Sequence, residues 1–350
     1  LNPFCALAAA ALAACAATAA HAQYKPPFDD DTWTGVQLLV DNDLFVPGKT
    51  DRWYTHGMRL SWNYDRPPKT LLARSFMTLL SDWAGLAGRD VPLTYSIGQS
   101  MYSPRDISNP APQPQDRPWA GFSYFSISAQ NESAPHFSAA EIKLGLTGPG
   151  SGAETVQTQW HRLIGSPHPA GWAQQTLARP IVQATWASVT RHPNFWRDRL
   201  AWQNGWGAAI GNARVYGNLN LSLLMGDLRH TAGDAPILIP NEGDFVAHDF
   251  RKRPVYEKPF GYLSVTANAV AYNYFIEGPV PYVNDVRALP LHATAQLGVS
   301  LPVGRWANLG RSLRATYAFN VRTSEHQTIS TGQPGGVQRW GSFALVFNLD

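Results

Sequence analysis

Two groups of residues could do chemistry. The first is Asp41-Asn42-Asp43, followed across a short loop by Thr55. Carboxylate, amide and hydroxyl oxygens are the donors that a hard cation such as calcium takes. The same residue types also mark ordinary turns and strand ends. The second group lies in Ala153 to Ile164, whose spacing predicts a short helix. Val156, Trp160 and Leu163 recur at intervals of four and three, and Glu154, Gln157 and His161 at three and four, so each set makes one stripe. Imidazole changes protonation near neutral pH, so a histidine beside an amide can act as general base on water. A plain surface histidine on a loop helix shows the same pattern. The chain offers no G-x-S-x-G motif, Walker loop, zinc spacing or paired cysteines. Any hydrolysis would therefore use water as nucleophile.

The elements that must position these groups read as strands. From Trp33 onward the chain alternates with period two. Tyr54, His56, Met58, Leu60, Trp62 and Tyr64 point one way; Thr55, Gly57, Arg59, Ser61 and Asn63 point the other. Leu291 to Leu301 and Leu313 to Arg322 repeat the pattern, as do shorter runs around Leu144 and Leu221. Charged side chains stand mid-strand on the polar face at Arg59, Glu141, Lys143, Arg314 and Arg322. A continuous apolar face opposite a polar face with mid-strand charge predicts a transmembrane antiparallel β-barrel with a polar lumen. About twelve strands are expected, beginning near 33, 53, 93, 119, 136, 180, 200, 214, 260, 288, 312 and 338. With both ends periplasmic, 44–53, 103–118 and 149–179 become extracellular loops, and 66–91 and 228–259 fall on the other side. Asp43 then ends an inward register of Gly35, Gln37, Leu39 and Asp41, and Thr55 starts the inward face of the next strand. The apolar stripe of the loop helix would pin it to the barrel rim or the membrane boundary.

Composition agrees. Of 350 residues only 15% are charged, with 13 Trp and 13 Tyr, which suits the aromatic girdles of a barrel. The net charge of +3 gives no case for nucleic acid. Residues 1–22 read as a signal peptide, with an alanine-rich stretch and Ala20-His21-Ala22 before Gln23. Leu12-Ala13-Ala14-Cys15 competes as a lipoprotein box. Cleavage after Ala22 would remove Cys5 and Cys15 and leave 23–350 as one outer-membrane barrel domain without disulfides.

Several stretches resemble the outer-membrane lipid A 3′-O-deacylase family. They are Asp41-Asn42-Asp43-Leu44-Phe45, Thr50 through Leu60, Gly98 through Pro104, Asp116 through Gly121, Thr147-Gly148-Pro149, Val156 through Gly165, and Gly171-Trp172. The resemblance implies a twelve-stranded barrel with a site at the extracellular rim between wall and loop helix, and a monomer is expected. It implies calcium-dependent hydrolysis of the 3′-linked acyloxyacyl ester of lipid A, a lipopolysaccharide component. On this resemblance Asn42 and Asp43 match metal-holding residues, and Thr55, Gln157 and His161 match catalytic ones. Arg105 stands nearest to the family's paired basic residues, a candidate substrate contact. Pro167 stands where members can carry a functional glutamate, six residues after the histidine. Two other readings share the barrel: a different outer-membrane lipid esterase such as a phospholipase, and a non-catalytic or transport barrel.

Overall fold

The computed structural model describes residues 33–47, 52–64, 92–133, 135–228, 258–306 and 311–349. The strands are β1 (Trp33–Asn42), β2 (Trp53–Tyr64), β3 (Leu93–Ser103), β4 (Ala120–Ser133), β5 (His136–Thr147), β6 (Pro180–Arg191), β7 (Leu200–Gly211), β8 (Arg214–Gly226), β9 (Phe260–Asn273), β10 (Val286–Ala288), β11 (Leu291–Trp306), β12 (Arg311–Arg322), β13 (His326–Thr328) and β14 (Gln338–Leu349). All but β10 and β13 form one closed barrel, with β1 paired to β14. Every neighbouring pair is antiparallel. The twelve expected strands are therefore present. The one expected near 288 is divided: β10 leaves the barrel to pair with β13, and β11 begins after Pro290. Residues 1–22, 66–91 and most of 228–259 lie outside the described residues.

Closure leaves no edge, so each strand residue faces either the lumen or the surroundings. The outward face is apolar and bare: Ile97 is 48% exposed and Leu219 68%, with Phe125, Leu144, Val182, Ile210, Leu221, Val265, Leu297 and Val299 also exposed. Such a belt around a closed barrel is a lipid-facing surface. None of the described helices is long and apolar enough to cross a membrane. The strands do the crossing.

The lumen is lined with buried polar and charged side chains, several of which pair with one another. Arg59, Glu141, Lys143, Arg314 and Arg322 are all buried, as their inward register requires. Arg59 Nη2 lies 2.7 Å from Glu141 Oε1, and Lys143 Nζ is 3.6 Å from Glu141 Oε2. Arg59 also donates to Ser96 Oγ. Glu141 thus neutralises two cations inside the barrel.

At one end the lumen is capped by aromatic rings and arginines. Tyr54, Tyr102, Phe122, Phe275 and Trp340 pack together there. Arg117 lies 4.1 Å over the Tyr102 ring and pairs with Glu325. Arg322 lies over Trp340 and also pairs with Glu325. A one-turn helix, α2 (Tyr274–Glu277), supplies Phe275 from above. A longer helix, α1 (Ala153–Ile164), lies at the same end. Its limits are those the spacing predicts.

Removing the carboxylate from the lumen strands two buried cations. Glu141→Ala should cost about 3–5 kcal/mol, read as a lower denaturation midpoint of the detergent-solubilised barrel. A midpoint equal to the parent's would mean that the Arg59–Glu141–Lys143 network is not holding the lumen together.

Candidate active site

The loop before α1 explains where the helix sits. Gln99 and Ser123 share the outward face with exposed Ile97 and Phe125. Gln99 Nε2 and Ser123 Oγ both donate to Ser151 O. A Cβ on Gly121 would come within 2.5 Å of the Ala153 Cβ, so only glycine lets the helix start this close to β4. Met101, also outward on β3, packs with Ala153, Ile107, Trp119 and Trp172. The helix therefore lies against the outer wall of the barrel over β3 and β4, outside the lumen.

Its buried stripe is Ala153, Gln157 and His161. Glu154, expected beside Gln157 and His161, is exposed instead; the close approach of the first turn to Gly121 selects Ala153 for the inner face. Gln157 Oε1 accepts from Trp172 Nε1 at 2.8 Å, and Trp172 packs on Trp119 with ring centroids 4.9 Å apart. Gln157 Nε2 is buried and has no hydrogen-bond partner among the described residues. His161 Nδ1 lies 2.5 Å from Pro167 O. A carbonyl can only accept, so Nδ1 carries the proton and the neutral ring keeps its lone pair on Nε2. The helix ends at Gly165, whose φ of 70° lets the chain turn back to bring Pro167 there.

The other candidates gather at the tops of β1 to β3. Asn42 ends β1 opposite His56 on β2. Its Oδ1 accepts from Leu44 N, capping a single turn of 3-10 helix, Asp43–Phe45, and its Nδ2 lies 3.4 Å from His56 Nδ1. That turn ends the strand alternation at Asn42, so the inward register expected for Asp43 does not extend to it. Asp43 is buried, and its Oδ2 accepts from Arg52 N at 2.8 Å.

Thr55 corrects a second expectation. The pairing of β2 with β3 slips between Tyr54 and His56. This bulge leaves Tyr54, expected to face out, pointing inward, where its hydroxyl donates to Asp41 Oδ2. Thr55 is the extra residue and leaves the inward register. Its Oγ1 is 2.6 Å from Ser103 Oγ, and by alternation Ser103 shares the side of Met101. The bulge thus carries Thr55 toward the wall on which α1 lies. Strict period two could not show this. His56 and Ser103 were not singled out in the sequence; they emerge only from this pairing.

Arg105 is exposed and belongs to a clasp between rim loops. Its backbone N–H donates to Asp116 Oδ2, and its Nη2 reaches Gly335 O. Asp116 Oδ1 also accepts from Trp53 Nε1 at 3.0 Å and lies 3.6 Å from His326 Nε2. Trp53 holds a φ of 67°, unusual outside glycine, and sits under the guanidinium groups of Arg52 and Arg105. Burial pushes the Asp116 carboxyl up, but His326, the Arg105 and Arg117 amides and the Trp53 indole outweigh it and hold it below the usual carboxylate range.

Among the described residues no three His, Cys, Asp or Glu side chains converge as a metal site. The oxygens at the strand tops include those of Asn42, Asp43, Thr55 and Ser103, hard donors that fit calcium in kind.

A family model described as outer membrane protein LpxR matches residues 4–349. Among solved structures, LpxR from Salmonella typhimurium is 18% identical, covers 89% of this chain and 99% of its own, and superposes with a TM-score of 0.67. The β domain of the Bordetella autotransporter BrkA is 9% identical, covering 92% of this chain and 100% of its own at a TM-score of 0.43. No curated protein matches the sequence.

Because the Asp116 carboxyl titrates lower folded than unfolded, its contribution is present above the unfolded value and lost as pH falls through the folded one. Asp116→Asn should lower the stability of the detergent-solubilised protein by about 1.5–3 kcal/mol at neutral pH. The difference from the parent should shrink in strong acid. A difference that does not change with pH would show that the carboxylate charge is not what holds the clasp.

Proposed function

The chain belongs to the LpxR family of outer membrane proteins, and from that premise we propose that it is a lipid A 3′-O-deacylase-like ester hydrolase. The observation that carries this reading is the state of His161. It is buried on the inner face of a helix laid on a lipid-facing wall, and its Nδ1 proton is committed to Pro167 O. In this tautomer Nε2 carries the lone pair, and we assign it as the base. Both the resemblance in 156–165 and the family membership support the assignment.

In this reading a water held at Nε2 attacks the ester carbonyl of a lipid lying against the wall, and His161 takes the water's proton. Gln157, anchored through Trp172, keeps an amide N–H beside the same space and orients the water or the ester oxygen. The departing alkoxide recovers the proton from the imidazolium, which regenerates the base. Calcium bound by Asn42 and Asp43, with Thr55 beside them, would stabilise negative charge on the carbonyl oxygen. The carbonyl of Pro167 orients His161, and the acid that family members can carry at this position is absent, which would weaken the hold on calcium. The site would open on the extracellular side, with lipopolysaccharide as substrate and Arg105 at the rim near its anionic groups. The reading requires Gln157 and His161 to share one pocket with Asn42, Asp43 and Thr55. The packed lumen favours this reading over transport.

His161→Ala should reduce release of 3′-acyl groups by about 10²- to 10⁴-fold, measured by mass spectrometry of lipid A from cells carrying the variant. The barrel should stay folded, since the residue lies outside the strands. Release at the parent rate would remove His161 from the mechanism. Asp43→Ala should reproduce the effect of chelating calcium from the parent; a variant that still loses activity on chelation would place the ion elsewhere.

A further inference from the structure

The three kinds of residue on α1 point in three directions. At about 100° per residue, Ala153, Gln157 and His161 centre on the direction that faces the wall. Val156, Trp160 and Leu163 fall to one flank of it. Glu154, Thr158 and Arg162 fall to the other. The apolar flank is not covered by protein: Val156 is 42% exposed and Leu163 77%, with Trp160 partly exposed. On the polar flank Glu154 and Arg162 are exposed. A helix lying flat on a wall with unlike flanks separates two unlike media.

The apolar medium is already defined by the barrel. Its lipid-facing belt includes Leu144, Leu146 and Val182, all about half exposed, and continues to exposed Leu177. Leu146 reaches the turn that leads into α1, its Cδ1 being 3.7 Å from where a Cβ on Gly150 would lie. The first turn of the helix stands over the Met101–Gly121 pair, two residues beyond the Gln99–Ser123 pair, a rise of about 7 Å along the strand. Leu146 pairs with that same Ser123. The helix thus begins where the belt ends, at the depth an interfacial amphipathic helix occupies.

We propose that α1 is docked in the membrane. Its flank of Val156, Trp160 and Leu163 rests among the acyl chains of the leaflet around this end of the barrel, and Glu154, Thr158 and Arg162 face water. Lipid is the partner because the helix begins where the belt ends and its uncovered flank is apolar. A tryptophan at this boundary and an arginine on the wet side suit the interface. The bilayer then helps press Gln157 and His161 against the wall. This inference rests on the barrel and its helix and is independent of the ester-hydrolysis reading.

The test uses the full chain with Cys5 and Cys15 replaced by serine, reconstituted in phospholipid vesicles. Spin labels are placed singly on Val156→Cys, Leu163→Cys, Glu154→Cys and Arg162→Cys. Collision with oxygen, which concentrates in lipid, is compared with collision with a water-soluble nickel chelate. Positions 156 and 163 should favour oxygen several-fold, and positions 154 and 162 should favour nickel. Nickel preference at all four positions would overturn the proposal. So would exclusion of both reagents at 156 and 163 with spin–spin broadening, because a second copy would then cover the flank. The readout needs no turnover, so loss of hydrolase activity would not be mistaken for failure of docking.

Discussion

The closure of β1 onto β14 is the constraint on which the rest depends. A strand in hydrocarbon has no water to satisfy its backbone, and an open edge there would leave a row of donors and acceptors without partners. Pairing from Gly35 with Asn348 through Asn42 with Gly341 removes that edge. It also divides side chains into two populations. Those facing in must satisfy one another, which is why Arg59, Lys143 and Glu141 meet mid-lumen. Those facing out must be apolar, except where a loop or helix covers them. Gln99, Ser123 and Met101 are outward residues of the covered kind; the turn at Ser151, the start of α1 and the rings of Trp119 and Trp172 cover them.

The barrel was legible because alternation is a local property written into every strand. A covered patch interrupts that signal only at its margin, so the ends of the strands are where inference from period two becomes weakest. The bulge at Thr55 shows this. Nothing in Tyr54-Thr55-His56 announces the slip, since each residue suits either face. The slip follows from Tyr54 finding Asp41 and from the cross-strand partners on β3, contacts between residues distant in the chain. His56 and Ser103 stayed hidden for the same reason.

The helix was legible in its limits and its two stripes, and less so in its orientation. A period of 3.6 shows which residues share a face but not which face meets the wall. Gly121 decides that, by letting Ala153 come close and turning Glu154 away. The role of Pro167 lay beyond side-chain reasoning altogether. Its contribution to His161 is a backbone carbonyl, which every residue possesses, and only the turn at Gly165 brings it into place.

The pairing of the first strand with the last has a consequence for how the molecule matures. Every group assigned to the candidate site falls between Asn42 and Pro167, so the chemical parts are all present when less than half of the chain has been synthesised. Asn42, however, sits opposite Gly341, and Phe45 gives its carbonyl to the Tyr317 hydroxyl. The strand end that carries Asn42 and Asp43 is therefore braced on one side by residues that are made last. An unfinished or unassembled chain would hold the groups without their geometry. Such an arrangement makes the geometry of the candidate site depend on completed closure of the barrel.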